Sequence, residues 1–65
     1  MEAKEIGRRL AALRGSRSQT EIASKLGLST SAISMYENGE RIPKDEIKIK
    51  IAKFYKQSVQ SIFFD

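Results

Sequence analysis

The stretch that most constrains this chain is residues 18–38, SQTEIASKLGLSTSAISMYEN, in which two short apolar-faced segments meet at Gly27. Ser18 followed by Glu21 has the spacing at which a Ser hydroxyl and a Glu carboxylate each satisfy a free backbone N–H at a helix start. Ile22, Ala23 and Leu26 then share one helical face, and Gly27 ends the segment because it tolerates a left-handed backbone. Ser29 offers an N-cap for the second segment, on which Ile33 and Tyr36 face inward before Asn38 and Gly39 stop it. Two helices crossing steeply through a tight turn need a small residue at the crossing, a turn residue tolerant of positive φ, and apolar residues toward a core. Ala23, Gly27 and Ile33 meet those needs in order, and Ile22, Leu26, Leu28 and Tyr36 complete the inner surface.

The flanking residues fit around this hairpin of helices. Ile6, Leu10 and Leu13 recur at i, i+4 and i+7, which predicts an amphipathic helix over about residues 2–14, interrupted by Gly15, Ser16 and Arg17. Residues 37–43, ENGERIP, form a turn-rich connector, and Pro43 followed by Asp45 and Glu46 opens a fourth helix with acids near its positive end. Ile47, Ile49 and Ile51 alternate with Lys48 and Lys50 as in a strand, whereas Ile47, Ile51, Phe54 and Tyr55 fit a helical face. Helix is the consistent choice, because no other segment alternates and a lone strand leaves its backbone groups unpaired. Ile49 is then expected at an edge of the buried face. Ser58 caps a last short helix that turns Val59, Ile62 and Phe63 inward. The expected fold is all-α: one domain over residues 1–65, built of five helices.

Sixty-five residues lie near the lower size at which a chain buries enough surface to fold alone, so a second domain or deep cleft is not expected. The chain has no Cys and no His, which removes disulfides, thiol nucleophiles, His-based metal sites and imidazole acid–base chemistry. Glu21, Glu37, Glu40, Asp45 and Glu46 form no recognisable catalytic pair, and capping or solvation explains most of them. An enzyme is therefore not expected, nor a cofactor or a metal. No apolar run approaches the roughly 20 residues that span a bilayer, and the start MEAKEIGRRL lacks a signal-peptide core. A cytoplasmic protein without membrane contact is the expectation. Twelve Lys and Arg against eight Asp and Glu give a net charge of +4, an excess that suits a polyanion such as nucleic acid.

Four segments, SQTEIASKLGLS (18–29), AISMYENGERIP (32–43), IAKFY (51–55) and SVQSIFF (58–64), together resemble the lambda-repressor and Cro-type helix-turn-helix family, also called the xenobiotic-response-element type. The resemblance implies a compact five-helix lambda-repressor-like domain that binds a palindromic operator in double-stranded DNA as a homodimer, with each third helix in the major groove of one half-site. The function implied is a transcriptional regulator, a repressor of the small phage or mobile-element kind, with no small-molecule effector evident. An antitoxin or restriction-modification controller shares the fold, and a protein-interaction adaptor that lost DNA binding is the alternative of another class.

Carried onto this sequence, the resemblance makes residues 29–37 the reading helix, with Thr30, Ser31, Ser34 and Met35 outward and Ala32 close to the groove floor. Gln19 and Ser29 correspond to phosphate-contacting positions, Asn38 to a backbone-contacting connector position, and Arg41 and Lys44 lie within reach of phosphate. Arg14 matches a position whose guanidinium pairs with the Glu of the ENG motif, here Glu37, fixing the first helix to the reader. Phe64, costly to leave bare on so small a chain, is the expected dimer-interface residue.

Three departures stand out. The GSRSQ loop is shorter than the common form and has Arg17 where a leucine usually precedes the Ser-Gln pair. Lys56 and Gln57 replace the Gly and apolar residue typical before the last helix, which bears on that turn's geometry. The reading face carries no Arg for guanine and no Gln or Asn for adenine, the side chains of strong bidentate base contacts. Met35 and Ala32 are therefore expected to meet thymine methyls, with half-site spacing and DNA deformability carrying much of the specificity.

Overall fold

Three serines set three of the helix starts. In the computed structural model, which describes residues 2–64, the chain forms α1 (Ala3–Arg14), α2 (Gln19–Leu26), α3 (Thr30–Glu37), α4 (Asp45–Tyr55) and α5 (Val59–Phe63), with no strand among the described residues. The hydroxyls of Ser18, Ser29 and Ser58 accept from the backbone N–H groups of Glu21, Ala32 and Ser61, each at 3.0 Å. Among the described residues the Glu21 carboxylate makes no return bond to Ser18, so only the serine half of that capping pair forms. The cap still satisfies one of the free N–H groups, worth about 1 kcal/mol.

Three helix ends close by one device, in which a left-handed residue lets the following N–H reach back to a carbonyl five residues earlier. At Gly27 (φ 69°) the Leu28 N–H donates to Ala23 O at 2.9 Å, and at Gly39 (φ 74°) the Glu40 N–H donates to Met35 O at 2.9 Å. The end of α4 repeats the pattern at Lys56 (φ 57°), where the Gln57 N–H donates to Ala52 O at 3.0 Å. The departure from glycine thus leaves the turn geometry unaltered. Lysine holds it at a cost of about 1 kcal/mol in backbone strain.

The helices pack as a closed ring: α3 lies against α1 and α2, α1 reaches α5, α5 meets α4, and α4 returns to α2. Ile6, Leu10, Ile22, Ala23, Leu26, Ile33, Tyr36, Ile51, Ala52, Ile62 and Phe63 form the buried core inside it. Leu13, Leu28, Ile47, Phe54, Tyr55 and Val59 pack around that core, partly covered. Ile49 does not lie at the edge of the buried face: it is 49% exposed. Two residues from both Ile47 and Ile51, it is turned about 200° from each around a 3.6-residue helix. Ala52, buried directly after Ile51, takes the place the alternation would have assigned to Ile49.

Arg17, where a leucine is usual, does a comparable covering task. Its guanidinium carbon lies 5.6 Å from the ring centroids of both Phe54 and Tyr55, and its nitrogens donate to Leu13 O (3.1 Å) and Arg14 O (3.3 Å). One side chain thereby caps α1 and roofs the end of α4 by cation–π contact. Across the molecule, Arg9 on α1 donates to the carbonyl of Ser61 on α5.

Glycine lets α1 and the end of α3 meet backbone to backbone. A Cβ on Gly7, buried in the middle of α1, would sit 2.2 Å from Glu37 O and 2.9 Å from Tyr36 O. Those are backbone atoms at the end of α3, so no side-chain adjustment relieves the overlap. Gly39 meets α1 similarly, with Lys4 Cα 2.8 Å from where its Cβ would be. Glycine costs a helix interior about 1 kcal/mol relative to alanine, and here the cost secures contact between backbones. Gly7→Ala is expected to raise helix propensity yet destabilise the domain by about 3 kcal/mol through overpacking, read from urea unfolding. Wild-type stability in that variant would show that α1 and α3 do not meet at this distance.

Candidate nucleic-acid interface

One carboxylate organises the surroundings of α3. Glu37, in its last turn, accepts from Arg14 Nε at 2.8 Å on Oε2 and from Arg14 Nη2 at 2.9 Å on Oε1, a two-pronged pair. Gln19 Nε2 adds a third donor to Oε1 at 2.9 Å, and Arg14 Nη1 donates to Arg17 O at 2.7 Å. The Glu37 side chain is only 6% exposed and that of Arg14 22%, so this is not the exposed ion pair whose contribution is small. The hydrogen bond to Glu37 raises the Arg14 pKa, and burial raises that of the neighbouring Tyr55 phenol. A negative charge at a helix C-terminus opposes the helix dipole. Three donors from α1 and α2 offset that cost and tie both helices to α3.

The predicted pair Arg14–Glu37 is therefore present, and it includes Gln19. This third member was expected only as a phosphate contact. Its carboxamide nitrogen has two N–H groups, so the bond to Glu37 occupies one and leaves one to donate elsewhere. Ser29 is similar: its oxygen accepts from the Ala32 N–H as the cap of α3, while its own O–H stays available.

Thr30 and Ser31 stand exposed at the start of α3, and Ser34 and Met35 follow half-exposed on the same side. Ala32 is half-buried and packs against the core, which puts it at the inner margin of this face. Asn38 caps α3 from the exposed side, its Nδ2 3.3 Å from Ser34 Oγ. Arg41 and Lys44 are exposed on the connector, and their side chains form no ion pair or hydrogen bond among the described residues. Thr20, which spacing did not single out, is exposed on α2 with its Oγ1 3.4 Å from Thr30 Oγ1. Only the crossing of α2 and α3 brings these two hydroxyls together.

Phe64, just after α5, is 54% exposed. Lys48 Nζ sits 4.8 Å from its ring centroid, and Phe64 lines a shallow groove of about 260 Å³ with Asp45, Lys48, Ile49 and Val59. Among the described residues no cluster of acids is placed to hold a metal ion, and no helix is long and apolar enough to cross a membrane.

The sequence model of the family described as Helix-turn-helix matches residues 9–62, from the middle of α1 to α5. The chain belongs to the xenobiotic-response-element, lambda-repressor-like helix-turn-helix family. No curated protein and no solved structure matches it significantly. This helix-turn-helix protein is thus a DNA-binding transcription regulator whose partner is double-stranded DNA. The family is one of DNA-binding domains and not of enzymes.

Proposed function

We propose that this helix-turn-helix protein is a cytoplasmic repressor that binds a palindromic operator as a homodimer, with α3 of each copy in the major groove of one half-site. The observation that carries this reading is the pose of α3: its first turn is exposed, while Glu37 at its far end is held by Arg14 and Gln19. A helix fixed from behind presents its front without further loss of conformational freedom on binding.

In this reading Gln19, Ser29, Asn38, Arg41 and Lys44 contact phosphates and set register, and Thr30, Ser31, Ser34 and Met35 meet base edges. Met35 reaches thymine methyls across the groove, with Ala32 contributing from the inner margin. Such small contacts discriminate weakly one by one. Half-site spacing, about 34–36 Å between groove faces, and the deformability of the intervening duplex supply the rest. The second copy docks where Ile49 and Phe64 leave apolar surface exposed, beside Val59.

Titrating DNA binding against salt tests the phosphate contacts. Arg41→Ala and Lys44→Ala should each reduce the slope of log K against log salt by about 0.9, and a slope unchanged by both removes them from the interface. A flat response of the wild-type protein would instead favour a protein-interaction adaptor. Sedimentation equilibrium tests the dimer: Phe64→Ala should weaken self-association at least about tenfold, a loss of roughly 1.4 kcal/mol. An unchanged dimer constant would exclude Phe64 from the contact.

A further inference from the structure

The two threonine hydroxyls that meet between α2 and α3 are the feature that the account above leaves unused. Thr20 is the second residue of α2 and Thr30 the first of α3, both exposed, with Thr30 Oγ1 positioned to donate to Thr20 Oγ1 at 3.4 Å. We propose that Thr20 is a specificity-determining residue: it fixes the direction of a hydroxyl relay that makes Thr30 a hydrogen-bond acceptor toward the base edge. The inference rests on the placement of α3 in the major groove.

The argument is one of donor counting. Each hydroxyl has one O–H to give and two lone pairs to receive. In a helix-turn-helix complex the first helix of the motif crosses the DNA backbone while the second enters the groove. Thr20 is exposed in the first turn of the first of these helices, α2, and in the proposed pose its hydroxyl meets a backbone phosphate. A phosphate oxygen only accepts, so a Thr20 hydroxyl that meets it must spend its single proton there. The hydrogen bond between the two threonines then has to be donated by Thr30, which leaves Thr30 with lone pairs alone to offer a base. Only two groups on the major-groove edges donate to such an acceptor: the N6 amino group of adenine and the N4 amino group of cytosine. A free threonine hydroxyl, by contrast, rotates to suit either kind of base.

The packing supports a fixed pair. Gln19, the residue before Thr20, is bonded to Glu37 at the other end of α3, so the first turn of α2 is held to both ends of the reading helix. A separation of 3.4 Å is long for a hydroxyl pair in water. Expulsion of solvent on docking and the negative phosphate beyond Thr20 both favour its closure.

Selection of bound duplexes from a random pool tests this with the wild-type chain, Thr30→Ala, Thr20→Val and Thr20→Ser. Thr20 is exposed, so all four should unfold at closely similar temperatures, checked by thermal melting. The wild type should enrich adenine or cytosine at the base that loses its preference in Thr30→Ala. Thr20→Val should lower that preference about three- to tenfold at this one position and leave the remainder of the site intact, and Thr20→Ser should restore it. A preference that survives Thr20→Val, or enrichment of guanine or thymine at that base, overturns the relay while leaving the placement of α3 standing. A wild-type chain that enriches no site overturns both, and one that enriches a site with no position sensitive to Thr30→Ala overturns the relay.

Discussion

The Glu37 carboxylate is the interaction on which the rest of this structure depends. Its two oxygens accept from Arg14 on α1 and Gln19 on α2, so the last turn of α3 is fixed to both helices that pack against it. Because the carboxylate is almost wholly covered, loss of any donor leaves charge short of hydrogen bonds where water reaches poorly.

Backbone packing makes that geometry possible. Gly7 lets α1 press against the carbonyls of Tyr36 and Glu37, which brings Arg14, two turns later, level with the Glu37 side chain. Gly39 then turns the chain away beneath Lys4. The ring of helix contacts closes behind, through α5 and α4, and leaves the first turn of α3 facing outward. In the proposed pose, DNA recognition thus draws on a support that lies at the opposite end of α3 from the bases.

Local chemistry was legible in the sequence, and contacts made across the fold were less so. Serine caps and the glycine turns at Gly27 and Gly39 act within a few residues, so their spacing alone announces three helix starts and two helix ends. The Arg14–Glu37 pair spans 23 positions and was visible only through family resemblance. Gln19 as its third member, Gly7 as the contact point and Thr20 as a neighbour of Thr30 all require the crossing angles of α1, α2 and α3. Ile49 misled because three alternating isoleucines suit both periods, and the helix buries Ala52 in its stead. Arg17 and Lys56 show a different limit. Each fills a place where the family pattern has another residue, one by stacking on rings and the other by accepting a strained backbone.

The direct test of this account is the unfolding free energy of Glu37→Gln, which keeps the side-chain shape and removes the charge that gathers three donors. Urea denaturation should show a loss of about 1.5–3 kcal/mol relative to wild type, as expected for hydrogen bonds to a charged group. A variant as stable as wild type to within about 0.5 kcal/mol, the range of ordinary surface substitutions, would mean that Glu37 does not hold α3 in place.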